Sequence, residues 1–284
     1  RVNAKFTINA GLRYEYLTPY WEANDSLVNL DANGDFTAAT PVIAGQTGPY
    51  TGAFPTSAVD ADRNNLAPRT GVAWRLNSKT VLRGGYGISY SSPVYQSMAQ
   101  RMSAQPPFAT TDTRLGELGV PLLLTTAFAT PTPPTIVTNN FGVARNYALG
   151  WLQMWNVDLQ RDLARTVNVG IGYAGTRGAS LDIQRAPNRG ANGVAISDVQ
   201  PFLWEEAGGR SIMHALSLRL QKRPAKGVGG AFSYTLSQSR DNASTLGGGN
   251  GTVAQDDKDL EAEWGASSFD QRHRFTASLN VELP

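Results

Sequence analysis

The sequence has no cysteine, two histidines, and only five lysines beside twenty arginines. Without cysteine there is no disulfide scaffold, thiolate zinc site, iron–sulfur cluster or thiol catalysis, although the compartment stays open. Long apolar runs are missing as well. The densest, Leu122-Leu123-Leu124, falls far short of the ~18 residues a membrane helix requires. Charge is scarce, at 17% of 284 residues, where roughly a quarter is usual in soluble domains. The net charge of +2 does not suit a dedicated nucleic-acid binder, which concentrates basic charge on one face. Mean hydropathy is nevertheless polar, at −0.29, and glycine occupies 29 positions. Low charge without apolar runs fits one membrane class, the transmembrane β-barrel, which places apolar residues at every second position.

Lys5–Tyr16 carries that pattern. Phe6, Ile8, Ala10, Leu12, Tyr14 and Tyr16 alternate with Lys5, Thr7, Asn9, Gly11, Arg13 and Glu15. Period two puts one set on each face of a strand, whereas a helix would scatter both. Seven further stretches repeat it: Leu66–Leu76, Thr80–Tyr90, Tyr147–Gln160, Thr166–Thr176, His214–Lys222, Gly227–Gln238 and Arg272–Leu283. All reach the ~9–11 residues of a tilted, bilayer-crossing strand. Pro68 breaks strand chemistry, but it lies near a strand start, where a missing N–H is tolerated.

The connections alternate in length. Asn77–Lys79, Arg161–Arg165 and Arg223–Lys226 are tight, while Leu17–Asn65, Ser91–Asn146, Arg177–Met213 and Ser239–Gln271 are long. Stretches such as Thr130-Pro131-Thr132-Pro133-Pro134 and Gly247-Gly248-Gly249-Asn250-Gly251 predict that the long ones are structureless. This rhythm predicts an all-β fold: an antiparallel transmembrane β-barrel segment of eight long strands, with short periplasmic turns and long extracellular loops. Residues 1–284 read as a single domain with no linker. The first strand then runs outward and the eighth inward. Tyr14, Tyr16, Tyr90, Tyr173 and Phe275 fall near outer ends and Trp74 near an inner end, the interface heights that aromatic rings prefer.

Three stretches resemble a known family. Leu12-Arg13-Tyr14-Glu15-Tyr16 is similar to a strand of TonB-dependent outer-membrane receptors. Leu66-Ala67-Pro68-Arg69-Thr70-Gly71-Val72-Ala73-Trp74, followed by Thr80-Val81-Leu82-Arg83-Gly84-Gly85-Tyr86-Gly87, resembles one of their hairpins. Ser267-Ser268-Phe269-Asp270-Gln271-Arg272-His273-Arg274-Phe275, closing at Glu282-Leu283-Pro284, resembles a hairpin of the Oar-like branch. The resemblance implies location in the cell outer membrane and a barrel of ~22 strands. It implies a plug, and a TonB complex that acts through the plug to drive uptake of a large solute. On this reading the chain is an internal fragment supplying wall and extracellular loops, because no signal peptide, plug, TonB box or terminal aromatic strand accompanies its eight strands. Its partners would be outer-membrane lipid, the rest of its own barrel and the plug, with no cofactor and no nucleic acid. A complete eight-stranded barrel is the alternative architecture. A structural or adhesive barrel, or a passive porin, is the alternative function.

No enzymatic role is expected. Gly170-Ile171-Gly172-Tyr173-Ala174-Gly175 matches GxGxxG, but no helix opens at Thr176-Arg177-Gly178, so the glycines read as the lumen face of a strand. His214 and His273 have no nucleophile elbow near them and fall near the outer ends of their strands, and His273, between Arg272 and Arg274, reads as a rim residue. Asp31-Ala32-Asn33-Gly34-Asp35 fails the EF-hand spacing and reads as an Asn-Gly turn. Asp256, Asp257 and Asp259, with Glu261 and Glu263, are a weak metal candidate; a solvated loop face is the usual meaning of such a run. The leading site candidates line the lumen. Arg13, Arg69, Arg83 and Arg219 offer fixed donors for anions, and Glu15, Asp158 and Glu282 are the acids that would pair with them across the wall. Ser91–Asn146 carries no recognisable ligand code.

Overall fold

A computed structural model describes residues 3–91, 94–109, 123, 140–187, 202–225, 227–243, 254, 256–257 and 259–282. In chain order the strands are β1 (Phe6–Tyr14), β2 (Val28–Ala32), β3 (Ala39–Ile43), β4 (Thr47–Gly48), β5 (Gly52–Ala53), β6 (Leu66–Asn77), β7 (Thr80–Tyr90), β8 (Phe141–Val143), β9 (Trp151–Ala164), β10 (Val167–Arg185), β11 (Leu203–Ala225), β12 (Val228–Asp241), β13 (Gly265–Ala266) and β14 (His273–Val281). Among the described residues there is one helix, α1 (Val94–Ser103), between β7 and β8.

The eight long strands form a single antiparallel sheet in the order β1-β6-β7-β9-β10-β11-β12-β14. These are the eight alternating stretches, each beside its neighbour in the sequence. Among the described residues β1 bonds only β6 and β14 bonds only β12, so the sheet has two edges. The tight turns suit the hairpins they close. Gly227, at φ +75°, takes the left-handed conformation that lets β11 turn into β12.

Register keeps the two faces in phase. One cross-strand row reads Phe6, Trp74, Leu82, Leu159, Ile171, Leu218, Tyr234 and Phe275. The adjacent row, on the opposite face, reads Thr7, Ala73, Arg83, Asp158, Gly172, Ser217, Thr235 and Arg274. A slip of one residue at any strand would exchange the two sets. The apolar stretch also drifts along the ladder. On β1 it runs from Phe6 up to Tyr14, whereas on β14 it runs from Phe275 down to Val281. Tilted strands produce such a drift, because the band must stay level with the bilayer while the rows climb.

β10 and β11 outrun a bilayer by the most. β10 has 19 residues and β11 has 23, against the ~9–11 needed to cross. Their extensions replace most of the expected Arg177–Met213 loop, since the ladder continues past two irregularities as far as Arg185 opposite Trp204. β9 begins at Trp151 rather than Tyr147, because a turn from Ala144 to Tyr147 carries the Tyr147 ring into a buried cluster.

The first long connection is folded, contrary to the structureless expectation, and so are both described ends of the second, while residues 130–134 and 247–251 lie outside the described residues. β2 pairs with β3 and β4 with β5, while β8 runs parallel to the β11 extension. Leu27, Val59, Met98, Met102, Phe141, Val143 and Tyr147 bury one another in a core outside the eight long strands. A second cluster packs Leu30 and Ala32 against Phe202 and Trp204, with the Phe36 ring 5.3 Å from Trp204. Most of these segments are too short or irregular to satisfy their own backbones, so two buried amides do it. Asn29 donates to the carbonyls of Ala58 and Val143 and accepts from the Val143 N–H at 2.8 Å. Gln105 donates to the carbonyls of Val28 and Phe141 and accepts from the Phe141 N–H. Orphaning a buried backbone group costs about 1–3 kcal/mol. Asn29→Ala is therefore expected to raise amide exchange at Val143 sharply while leaving exchange in β10 unchanged, as measured by hydrogen–deuterium exchange.

Candidate functional site

The polar face carries the expected charged residues, but only some of them meet. Arg13 lies 3.2 Å from Glu15, two positions on and just past the end of β1. Arg219 forms an ion pair with Asp158, reaching diagonally across β10. Gly170 and Gly172 make the reach possible. A Cβ at Gly172 would stand 2.8 Å from the Asp158 Oδ2 and 3.4 Å from an Arg219 nitrogen, in the space the ion pair fills. This gives two glycines of the GxGxxG run a physical role. The third, Gly175, lies on the apolar face instead, where a Cβ would collide with the Trp155 indole.

Arg83 stands directly opposite Asp158 in register, yet Asp158 is taken by Arg219. Arg69 faces Gly11 on one side and Gly87 on the other. Among the described residues no carboxylate pairs with Arg69 or Arg83. Glu282 bonds through its backbone to Gly227, and no ion pair to its carboxylate is found among the described residues. The candidate set omits Arg75 and Arg274, which share this face; alternation alone would have found them.

The aromatic candidates lie on the apolar face, apart from Tyr16, which follows the end of β1. Trp74 meets Phe6 edge-on at 6.4 Å, and Phe275 meets Phe232 edge-on at 4.9 Å. Tyr14 donates to the Arg63 carbonyl, Tyr90 donates to the Leu66 carbonyl, and the Arg63 guanidinium covers Tyr16. Tyr173 pairs with His214 at 2.7 Å, and Tyr234 pairs with His273 at 2.9 Å. Both histidines thus belong to Tyr–His pairs with stacked rings on the apolar face. Sequence reasoning missed these pairs because their members lie on different strands, 41 and 39 residues apart.

The acidic candidates have other duties. Asp257 is buried and accepts from Arg185 through both carboxylate oxygens, at 3.0 and 2.7 Å; Glu206 holds the same guanidinium. Asp256 and Asp259 share a turn in which the Asp259 N–H donates to the Asp256 carbonyl. Among the described residues no group of three His, Cys, Asp or Glu side chains is placed to hold a metal ion. Asp31 is fully buried and accepts from the Tyr50 N–H and from the Thr51 N–H and hydroxyl, which pins the β4–β5 turn. Beside it, Leu30, Thr51, Phe54, Arg145 and Trp204 line a cavity of about 230 Å³.

Beyond the bilayer-crossing part of the sheet, Asp182 of β10 and Glu205 of β11 meet under α1. Tyr147 donates to Asp182 at 3.1 Å, and Arg101 approaches Glu205 at 3.6 Å while its guanidinium covers the Phe141 ring. Burial raises both carboxyls. Glu205, ordinarily near 4.5, is pushed up to about 8 by burial and then by the Asp182 charge, with Arg101 pulling the other way. A carboxyl harder to ionise folded than unfolded favours the fold below its unfolded value, and loses that contribution as pH rises to its folded one. The loop core should therefore loosen as pH climbs from about 4.5 to about 8, seen as faster amide exchange at Phe141 and Val143. Glu205→Gln should flatten that dependence.

Long alternating strands, in-phase faces and a folded cap define a membrane β-barrel wall. The chain belongs to the outer membrane beta barrel domain family, which it matches over residues 1–284. It resides in the outer membrane. Its fold is similar to that of the outer membrane transporter YddB from Escherichia coli, with TM-score 0.50 and 12% identity, covering 77% of this chain and 27% of that one. It is also similar to the ferric-catecholate import receptor Fiu from Escherichia coli K12, with TM-score 0.45 and 12% identity over 99% of this chain and 30% of that one. The FrpB iron transporter from Neisseria meningitidis gives TM-score 0.43 and 12% identity over 84% and 24%. The chain therefore spans roughly a quarter to a third of the length of these structures. No curated protein matches its sequence.

Proposed function

We propose that the chain forms wall and extracellular loops of a TonB-dependent outer-membrane transporter that takes up a large solute. The apolar face meets lipid, the polar face lines a wet lumen, and the folded connections form an outer cap. Residues 1–284 act as one barrel domain alongside the remaining strands and a plug, and TonB acts through that plug. The role is transport rather than catalysis. The observation that carries this reading is the arginine-bearing polar face. Arg69 and Arg83 have no carboxylate partner among the described residues, and so offer rigid donors to anionic groups of a passing solute. The resemblance of Leu66–Gly87 and Ser267–Pro284 to TonB-dependent receptors supports it, as does the likeness in fold to an outer membrane transporter.

Two experiments bear on it. The full-length protein should bind the periplasmic domain of TonB and pass no steady potassium chloride current in planar bilayers. A current without TonB binding would make it a passive porin, and the absence of both a current and TonB binding would favour a structural barrel. The face assignment is tested separately. Leu218→Arg should block outer-membrane assembly, at about 2–4 kcal/mol near the midplane, while Ser217→Arg is tolerated. Equal effects in a heat-modifiability assay would reverse or abolish the assignment.

A further inference from the structure

Three arginines break the apolar face just beyond its aromatic belt. Arg177 follows Tyr173 by four residues on β10, Arg240 follows Leu236 by four on β12, and Arg210 precedes His214 by four on β11. Alternation and register put all three on the same face as Ile171, Leu218 and Tyr234. They also converge. The Arg210 and Arg240 guanidinium groups lie 5.6 and 5.4 Å from the centre of the Trp264 ring. Arg177 and Arg210 line one cavity of about 320 Å³ with Ser211, Ile212 and Trp264. Among the described residues Glu261 is the one acid on that lining, and it pairs with Arg210 at 2.7 Å. A turn from Glu261 to Trp264 brings both side chains to the site, and β13 fixes the turn by pairing Ala266 with Arg240. Among the described residues no carboxylate pairs with Arg177 or Arg240.

Height decides what such a site meets. Four strand residues climb roughly 10 Å along the membrane normal at a barrel's tilt, which carries the guanidinium groups from the aromatic belt to the outer edge of a headgroup layer roughly 5–8 Å deep. Glu261 offsets one of the three charges, and the remaining cations would repel one another unless a further anion joined them; guanidinium forks match phosphate oxygens two at a time. The indole beneath supplies an apolar floor for the sugar or glycerol that carries the phosphate.

We propose that Arg177, Arg210 and Arg240, gathered over Trp264, bind the phosphorylated headgroup of an anionic outer-leaflet lipid. This rests on the apolar face being the lipid-facing one, which the Leu218 and Ser217 variants test independently. The site anchors the barrel to its leaflet, and Glu261 competes with the phosphate for Arg210.

The test uses the full-length protein in detergent micelles, titrated with diphosphoryl lipid A and followed by thermal unfolding. Diphosphoryl lipid A should stabilise the protein, whereas dephosphorylated lipid A, phosphatidylcholine and inorganic phosphate at equal concentration should not. Each arginine contributes about fivefold in affinity, so Arg177→Ser should weaken binding about fivefold and the triple serine variant about a hundredfold. Glu261→Gln should strengthen binding, a gain that misfolding cannot mimic. Arg83→Ser, on the other face, should bind as the parent does. Equal stabilisation by inorganic phosphate would assign the site to the free anion and overturn the lipid assignment. Equal stabilisation by dephosphorylated lipid A, or unchanged binding by Arg177→Ser and Glu261→Gln together, would overturn the site.

Discussion

Cross-strand register is the constraint on which everything else rests. A bilayer offers no water to the backbone, so each crossing strand must be laddered along its length. Side chains have period two, so the ladder must also hold its phase from β1 to β14. That phase creates a lipid-compatible face and a polar face from one sheet. It sets which polar residues are near enough to interact. Arg219 and Asp158 meet because both rise from the same face on either side of a glycine-lined β10. Arg83, opposite Asp158 in register, loses the competition for it.

The same ladder serves as a pedestal. β10 and β11 continue beyond bilayer length, and their upper halves carry the hydrophobic clusters that fold the first connection and part of the second. This cap depends on polar groups placed where water is excluded. Asn29 and Gln105 act as stand-in ladder partners for irregular backbone, and Asp31 closes a turn from within. Asp182 and Glu205 add a buried acid pair at the joint between sheet and cap. Such groups are costly to bury, so they hold the cap in one arrangement only while each stays satisfied.

The eight strands were legible because alternation is local and lasts nine or more residues in each. The turns were legible from their brevity. The upper halves of β10 and β11 were not, because Gly178-Ala179-Ser180 and Glu205-Glu206-Ala207-Gly208-Gly209 lack alternation and the ladder there carries bulges. α1 is ten residues long and weakly amphipathic, held by Tyr95, Met98 and Met102 against partners more than 35 residues away. The Tyr173–His214 and Tyr234–His273 pairs escaped for a similar reason. Each residue looked unremarkable in its own strand, and only the diagonal neighbour gave it a role.

The sequence alone determined the all-β class, the number and order of the long strands, and which residues share a face. Each follows from period two and from chain order, which need no knowledge of distant contacts. The tertiary structure decided which arginines are paired, how the cap folds, and that Arg177, Arg210 and Arg240 gather around Trp264. Those outcomes depend on register between strands and on side chains reaching diagonally across them. A gap of 24 residues separates Arg240 from Trp264, and 63 separate Arg177 from Arg240, so no local pattern in the chain could have brought them together.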